Sequence, residues 1–189
     1  MFHRVVSPGV ELRSVREEHA EALFALTQKN RERLRRWLPW VDRTRSVEDV
    51  RFFINHQAMP QYNENRGVHA GIWVEGKLAG SAGCHPIDWA NRSTSIGYWL
   101  DADFEGRGLV TQCCAVLLDY LFHDMGLHRV EIRCGTGNHR SCAVPERLGF
   151  TREGIARHAE WVAGRFHDLY VWSMLAEEWQ ARRPGAGTG

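Results

Sequence analysis

The stretch Asp103-Phe104-Glu105-Gly106-Arg107-Gly108-Leu109-Val110-Thr111 constrains this chain more than any other. Two glycines flank a cation where a strongly amphipathic helix begins. From Val110 the apolar positions run Val110, Cys113, Cys114, Leu117, Leu118, Leu121, Phe122 and Met125, the i, i+3, i+4, i+7 spacing of one buried helix face. Upstream lies Ser95-Ile96-Gly97-Tyr98-Trp99-Leu100, rich in strand formers. A strand, a glycine turn and a helix start make a natural anion site. The first-turn N–H groups lack intrahelical acceptors, the helix dipole adds partial positive charge, and glycine lets the backbone come close. Two readings stay open on these residues alone: a phosphate-binding turn, or an ordinary strand-to-helix turn that uses glycine for tightness.

What the turn lacks narrows the field. It has no Lys-Ser/Thr ending for a nucleoside-triphosphate loop and no three-glycine spacing for a dinucleotide fold. Lys plus Arg number 24 against 23 acids, a balance that argues against gripping nucleic acid or an anionic membrane. No apolar run approaches a membrane span and the first residues carry no signal-peptide core, so a soluble, cytoplasmic protein is expected. Cysteines at 84, 113, 114, 134 and 142 form no Cys-x-x-Cys pair and read as reduced thiols. The ten histidines are scattered, and no metal site is expected.

Residues 1–179 read as a single domain, and 180–189 as a disordered tail with nothing to bury. Val10 to Val15 is a first strand. Glu17 to Asn30 is a helix with Ala22, Leu23 and Leu26 facing inward, followed by the arginine-rich, aromatic segment Asn30 to Trp40. Ser46 with Asp49 opens a helix towards Met59, and Pro60 with the polar run to Arg66 ends it. Strands Val68–Val74 and Lys77–His85 join through Glu75-Gly76 as a hairpin. A strand ending at Leu100, the long helix, a strand Arg129–Cys134 and a short helix Asn138–Leu148 closed by Gly149 come next. Two long strands, Phe150–Val162 and Phe166–Leu175, turn at Ala163-Gly164. The class is α/β (α+β): a mixed central sheet of about seven strands with helices on both faces.

This order resembles the GCN5-related N-acetyltransferases, and within them the RimL branch of ribosomal-protein-serine acetyltransferases. The resemblance spans Val10 to Trp179. Asn30 to Trp40, Gly97-Tyr98-Trp99-Leu100, Glu105 to Thr111 and Asn138-His139-Arg140-Ser141 carry it, with Pro145 to Phe150 and Gly164 to Asp168 in support. It implies acetyl-CoA as co-substrate, with no metal, and direct attack by a primary amine in a ternary complex. Trp99, Leu100, Gly106, Arg107, Gly108, Leu109, Val110, Thr111, Asn138 and Ser141 are then the cofactor-binding positions. Glu160 is the expected base and Ser141 the expected acid for the leaving thiolate. A backbone N–H near Trp99 or Leu100 would meet the oxyanion. Trp37, Leu38 and Trp40 would flank the acceptor groove. Cys134 would line the pocket near the thiol of coenzyme A, open to a mixed disulfide under oxidation. A homodimer is suggested by the resemblance alone.

Two positions depart from the family's loop pattern, which has Gln or Arg at 105 and Gly or Ala at 110. Glu105 cannot donate when ionised and would repel a diphosphate, so the amides of 106–111 and Arg107 must outweigh it. The acceptor's own protonation bears on its identity. An α-amine titrates near 7.7–8.0 and lysine near 10.4, so at neutral pH roughly a tenth of the first is free base and well under a thousandth of the second. A single carboxylate base suits a protein N-terminus. A small amine such as a polyamine, amino acid or antibiotic is the alternative, and a non-catalytic acyl-CoA-binding module a third reading. The arginine run Arg31, Arg33, Arg35, Arg36 reads as a solvated helix face, since Glu32 interrupts it.

Overall fold

The structure, a computed structural model, describes residues 1–182. Strands β1 (His3–Ser7) and β2 (Val10–Ser14) come first, followed by helices α1 (Ala20–Lys29), α2 (Arg31–Leu34), α3 (Val47–Phe53) and α4 (Met59–Asn63). Strands β3 (Val68–Val74), β4 (Lys77–Cys84) and β5 (Ser93–Leu100) lead to α5 (Leu109–Asp119). Then come β6 (Arg129–Gly135), α6 (His139–Leu148), β7 (Thr151–Val162), β8 (Arg165–Leu175) and α7 (Ala176–Ala181). The eight strands form one sheet in the order β1-β2-β3-β4-β5-β6-β8-β7. Every pairing is antiparallel except β5 with β6.

The sheet follows the expected class with one strand more. His3–Ser7 pairs as an outer edge on β2; three of its five side chains are exposed, so it shows little of the alternation that marks a half-buried strand. Turns at Glu75-Gly76 and Ala163-Gly164 have positive φ at both central residues, the geometry that matches the twist of tight hairpins. On α1 the buried stripe is Ala20, Leu23 and Thr27, whereas Ala22 faces solvent and Leu26 is half-buried. The helical phase follows Asn30, which is buried and anchored to Asp101 at 2.9 Å.

Ser46 and Asp49 exchange the reciprocal bonds of a capping box, Asp49 N donating to Ser46 Oγ at 3.2 Å and Ser46 N donating to Asp49 Oδ2 at 2.9 Å. Pro60 does not end the helical run. A wide π-type turn over Ile54–Ala58 resets the chain, and Pro60 then sits in the first turn of α4, where its missing N–H is harmless. The last helix includes Gln180 and Ala181, inside the stretch assigned to the tail; 183–189 lie outside the described residues.

Two apolar clusters cover the two faces of the sheet. The larger joins Leu12, Ile72, Ile96, Val130 and Ile132 to the stripe of α5 (Cys113, Cys114, Leu117, Leu118) and to Cys142 and Leu148 of α6. The smaller packs Val15, Leu23, Val50 and Ile54 of the α1–α3 layer, with Leu78 and Trp99 beneath. Among the described residues no helix is long and apolar enough to cross a membrane.

Candidate active site

The parallel strands β5 and β6 pair only from Ser93/Arg129 to Ile96/Ile132. Beyond that point both continue, to Leu100 and to Gly135, without pairing to each other. The strand alternation shows what faces the opening. Asp101 N donates to Ala79 O at 2.7 Å and His85 N to Ser95 O at 2.9 Å, so odd-numbered residues of β5 turn their amides to β4. The peptide groups of Tyr98 and Leu100 therefore face the gap. The amide of Trp99, in contrast, faces Ser81 of β4, and its side chain lies on the α1–α3 face with its ring centroid 6.1 Å from that of Trp40.

At the far end of β5 the chain enters the glycine turn. Gly106 (φ 77°) and Gly108 (φ 72°) both occupy the left-handed region, where a side chain is strained. A Cβ on Gly106 would meet nothing within 4 Å. Gly108 is the N-cap of α5 and supplies no side-chain acceptor. The N–H groups of Leu109, Val110 and Thr111 therefore have no intrahelical partner. The turn is an exposed cradle of amides at the positive end of an 11-residue helix.

Glu105 is not left facing that cradle as a bare negative charge. Its carboxylate accepts from Arg33 Nη1 at 2.6 Å through one oxygen and from Arg140 Nη1 through the other. Arg33 also donates to Asn30 Oδ1 at 2.9 Å and to the carbonyl of Leu100. The run of arginines is thus partly structural: Arg31 donates to the carbonyls of Val41 and Thr44, and Arg35 pairs with Asp42 at 3.1 Å. With one acid held between two guanidiniums, the cluster beside the turn carries a net positive charge.

The α5–α6 face of the opening holds a hydroxyl and thiol cluster. Asn138 caps α6, its Oδ1 accepting from Ser141 N at 3.3 Å. Ser141 Oγ donates to the Tyr98 hydroxyl at 3.3 Å, and that hydroxyl donates to the Ser141 carbonyl at 2.9 Å. Burial holds the Tyr98 phenol well above its ordinary range, so it stays protonated. Cys134 and Cys142, both buried, lie with their sulfurs 2.9 Å apart. All five cysteines are free.

The opposite face carries Glu160. It stands directly across from His167 on β8, so the two side chains share a face. The His167 ring lies 5.9 Å from the Trp37 ring, which in turn leans over Gly135 and Gly137. A cavity of about 330 Å³ opens here, bounded by Trp37, Thr136, His158, His167 and Asp168. Leu38 is half-buried in the turn after α2. Partial burial raises the Glu160 carboxyl above its ordinary value, against a smaller lowering by His167.

Between Ala156 and Glu160 the β7–β8 register shifts, three residues of β7 facing Asp168 alone. His158 is held at φ 48°, and its N–H donates to Asp168 Oδ1 at 2.8 Å. Such a bulge re-aims the side chains that follow it, and here the next inward one is Glu160.

Glu160 and Ser141 thus occupy opposite faces of the sheet, Glu160 on the edge strand β7, beyond β6 and β8, and Ser141 in the first turn of α6. Sequence reasoning assigned no site role to Tyr98, Arg33, Arg140, Cys142 or His167. Tyr98 sits in the motif Gly97-Tyr98-Trp99-Leu100, but Arg33 and Glu105 are 72 residues apart and nothing local couples them.

Comparison with known proteins gives the family and the fold. The family model described as an acetyltransferase (GNAT) domain matches residues 10–151. The YdaF protein of Bacillus subtilis (strain 168), named as a candidate ribosomal N-acetyltransferase, is 37% identical over 97% of this chain and 100% of its own. The ribosomal-protein-serine acetyltransferase of Escherichia coli (strain K12) is 29% identical over 91% of this chain and 96% of its own. The solved structure of RimL, a ribosomal L7/L12 alpha-N-protein acetyltransferase, superposes with a TM-score of 0.90 at 29% identity. The match covers 94% of this chain and 99% of that one, and the RimL structure holds coenzyme A in a disulfide with one of its cysteines.

Proposed function

The chain belongs to the GNAT acetyltransferases, and from that premise we propose that it transfers an acetyl group from acetyl-CoA to the α-amine of a protein N-terminus, of the ribosomal-protein kind. The parting of β5 and β6, with a carboxylate on one face and a hydroxyl cluster on the other, carries this reading. Such an opening lets a thioester and an amine approach each other from opposite sides of one sheet.

The residues fit the co-substrate. The amides of Gly106 to Thr111, with Arg107 and the clamped Arg140, would hold its diphosphate. The edge groups of Tyr98 and Leu100, with Asn138, would hold its extended arm. When bound, acetyl-CoA supplies an activated acyl thioester. On the other face, Glu160 accepts the proton of the incoming amine, its raised pKa making it a better base than an exposed glutamate. Trp37 and His167 orient that amine. The Tyr98 or Leu100 N–H faces the place where negative charge would develop on the carbonyl oxygen. Ser141 delivers a proton to the departing sulfur, with the buried Tyr98 hydroxyl behind it. The rate then depends on both faces being filled together, as direct attack in a ternary complex requires.

An α-amine fits a site with one modest base, because a useful fraction of it is already neutral at pH 7. The test is release of free thiol from acetyl-CoA with Ser-, Thr-, Ala- and Met-initiated peptides and a panel of small amines. Peptide turnover that falls with Glu160→Gln and Ser141→Ala supports the proposal. Turnover confined to small amines redirects the acceptor, and tight acetyl-CoA binding without turnover on any amine leaves a binding module in place of an enzyme.

A further inference from the structure

We infer that Cys134 and Cys142 form a thiol–disulfide exchange site that takes the disulfide of coenzyme A and reduces it, closing a disulfide of their own. The inference rests on the proposed placement of the coenzyme A arm in the opening between β5 and β6. Two observations carry it.

The first is contact: the two sulfurs lie 2.9 Å apart, so bonding at about 2.05 Å requires a shift of less than an ångström. The second is position. Cys134 lies on β6 past the last residue paired to β5, its side chain on the same face as Tyr98, and Cys142 follows Ser141 in the first turns of α6. Both sulfurs are therefore beside the path given to the thiol arm. Burial raises both thiols, so each attacks only once deprotonated. Cys142 sits near the amino end of a ten-residue helix, where a thiolate is stabilised. No such pairing exists for Cys113 and Cys114, which are spent in the apolar stripe of α5.

The chemistry balances in two exchanges. Cys134, once deprotonated, attacks one sulfur of the coenzyme A disulfide; a Cys134–coenzyme A bond forms and one coenzyme A thiolate leaves. The Cys142 thiolate then attacks the Cys134 sulfur, forms the Cys134–Cys142 bond and expels the second coenzyme A thiolate. Two protein thiols are oxidised, one coenzyme A disulfide is reduced to two thiols, and the two cysteine protons pass to solvent or to those thiolates. The oxidant is the coenzyme A disulfide itself. A site with a single cysteine would stop at the mixed disulfide, with its thiol arm blocked; Cys142 clears the arm.

The test treats the reduced full-length protein with coenzyme A disulfide, quenches with acid, alkylates, and reads intact mass and free thiol. Wild type is expected to lose two alkylatable thiols, release two equivalents of coenzyme A and show no lasting adduct. Cys142→Ser is expected to stop at one coenzyme A adduct per chain, mapped by peptide mass to residue 134, and Cys134→Ser to form none. Hydroxyethyl disulfide, which lacks the nucleotide, should react at least tenfold more slowly with wild type. An adduct that persists on wild type, an adduct on Cys134→Ser in place of Cys142→Ser, or equal rates with both disulfides overturns the inference. Calorimetry with acetyl-CoA separates the two readings: normal binding with no exchange removes the dithiol site alone, and absence of binding removes the co-substrate reading beneath it.

Discussion

Replacing Arg33 with Gln probes whether the clamp on Glu105 sets the charge of the glycine turn. In the wild type, Arg33, Glu105 and Arg140 sum to one positive charge. Arg33→Gln takes the cluster to zero, Glu105→Gln to plus two, and the double variant back to plus one. At about 8 Å and an effective dielectric of about 40, one charge acts on one phosphate charge with about 1 kcal/mol, or about fivefold in Kd. Calorimetry with acetyl-CoA in dilute buffer should therefore show Arg33→Gln about fivefold weaker than wild type. Glu105→Gln should be no weaker, and the double variant should return close to wild type. At about 1 M salt, where the Debye length is about 3 Å, the differences should vanish.

Stability follows a different order. Arg33 also holds Asn30 and the Leu100 carbonyl, and its side chain is 36% exposed. Its loss costs about 2 kcal/mol once discounted for solvent, or about 6 °C in Tm, and the double variant does not regain it. An Arg33→Gln variant that binds like wild type at low salt, or a double variant as weak as Arg33→Gln, would refute the reasoning.

The remaining predictions concern the two faces and the edge of the sheet. Gly135→Ala places a Cβ 2.9 Å from the Trp37 ring, so the ring must move; KM for a peptide acceptor should rise roughly tenfold while calorimetric affinity for acetyl-CoA holds. Glu160→Gln should lower kcat/KM about a hundredfold or more and abolish the acidic limb of its pH profile, which lies above the ordinary glutamate range. The same raised pKa fixes a sign for stability. The folded state prefers protonated Glu160, so ionisation as pH rises is destabilising, and Glu160→Gln should melt higher than wild type at pH 8 with the gap closing towards pH 4. Glu153 runs the opposite way, held at about 2 by Arg129 and Ser173. Its contribution is present above the ordinary 4.5 and fades as pH falls through about 2, so acid melts of Glu153→Gln should show a shallower slope than wild type.

The elements legible in the chain are those with a local cause. Ser46 and Asp49 announce a helix start because the capping bonds span three residues. Gly149 announces a helix end because its φ of 77° is strained in other residues. Glu75-Gly76 and Ala163-Gly164 mark tight hairpins for the same reason. What escaped has a non-local cause. β1 is a strand because β2 offers it an edge, not because its own five residues alternate. Ala22 faces water because Asn30, eight residues on, is tied to Asp101 and fixes the rotation of α1. Pro60 is tolerated because a π-type turn precedes it, a feature with no reliable local signature.

The site divides along the same line. The glycine turn was readable as an anion cradle because amides at a helix start need no partner from elsewhere. The meaning of Glu105 was not, because an isolated acid in that place repels phosphate whereas an acid between two guanidiniums positions them. Its role belongs to Arg33, 72 residues before it, and to Arg140, 35 residues after. Glu160 shows the converse. Its local sequence is an unremarkable strand, yet the bulge at 157–159, which no glycine or proline announces, places it beside His167 on the face away from Ser141. A departure from a family's motif is therefore no measure of lost activity until the partners of the altered residue are known. For this chain those partners restore a net positive charge to the turn, and Glu105 is better understood as the residue that holds Arg140 there.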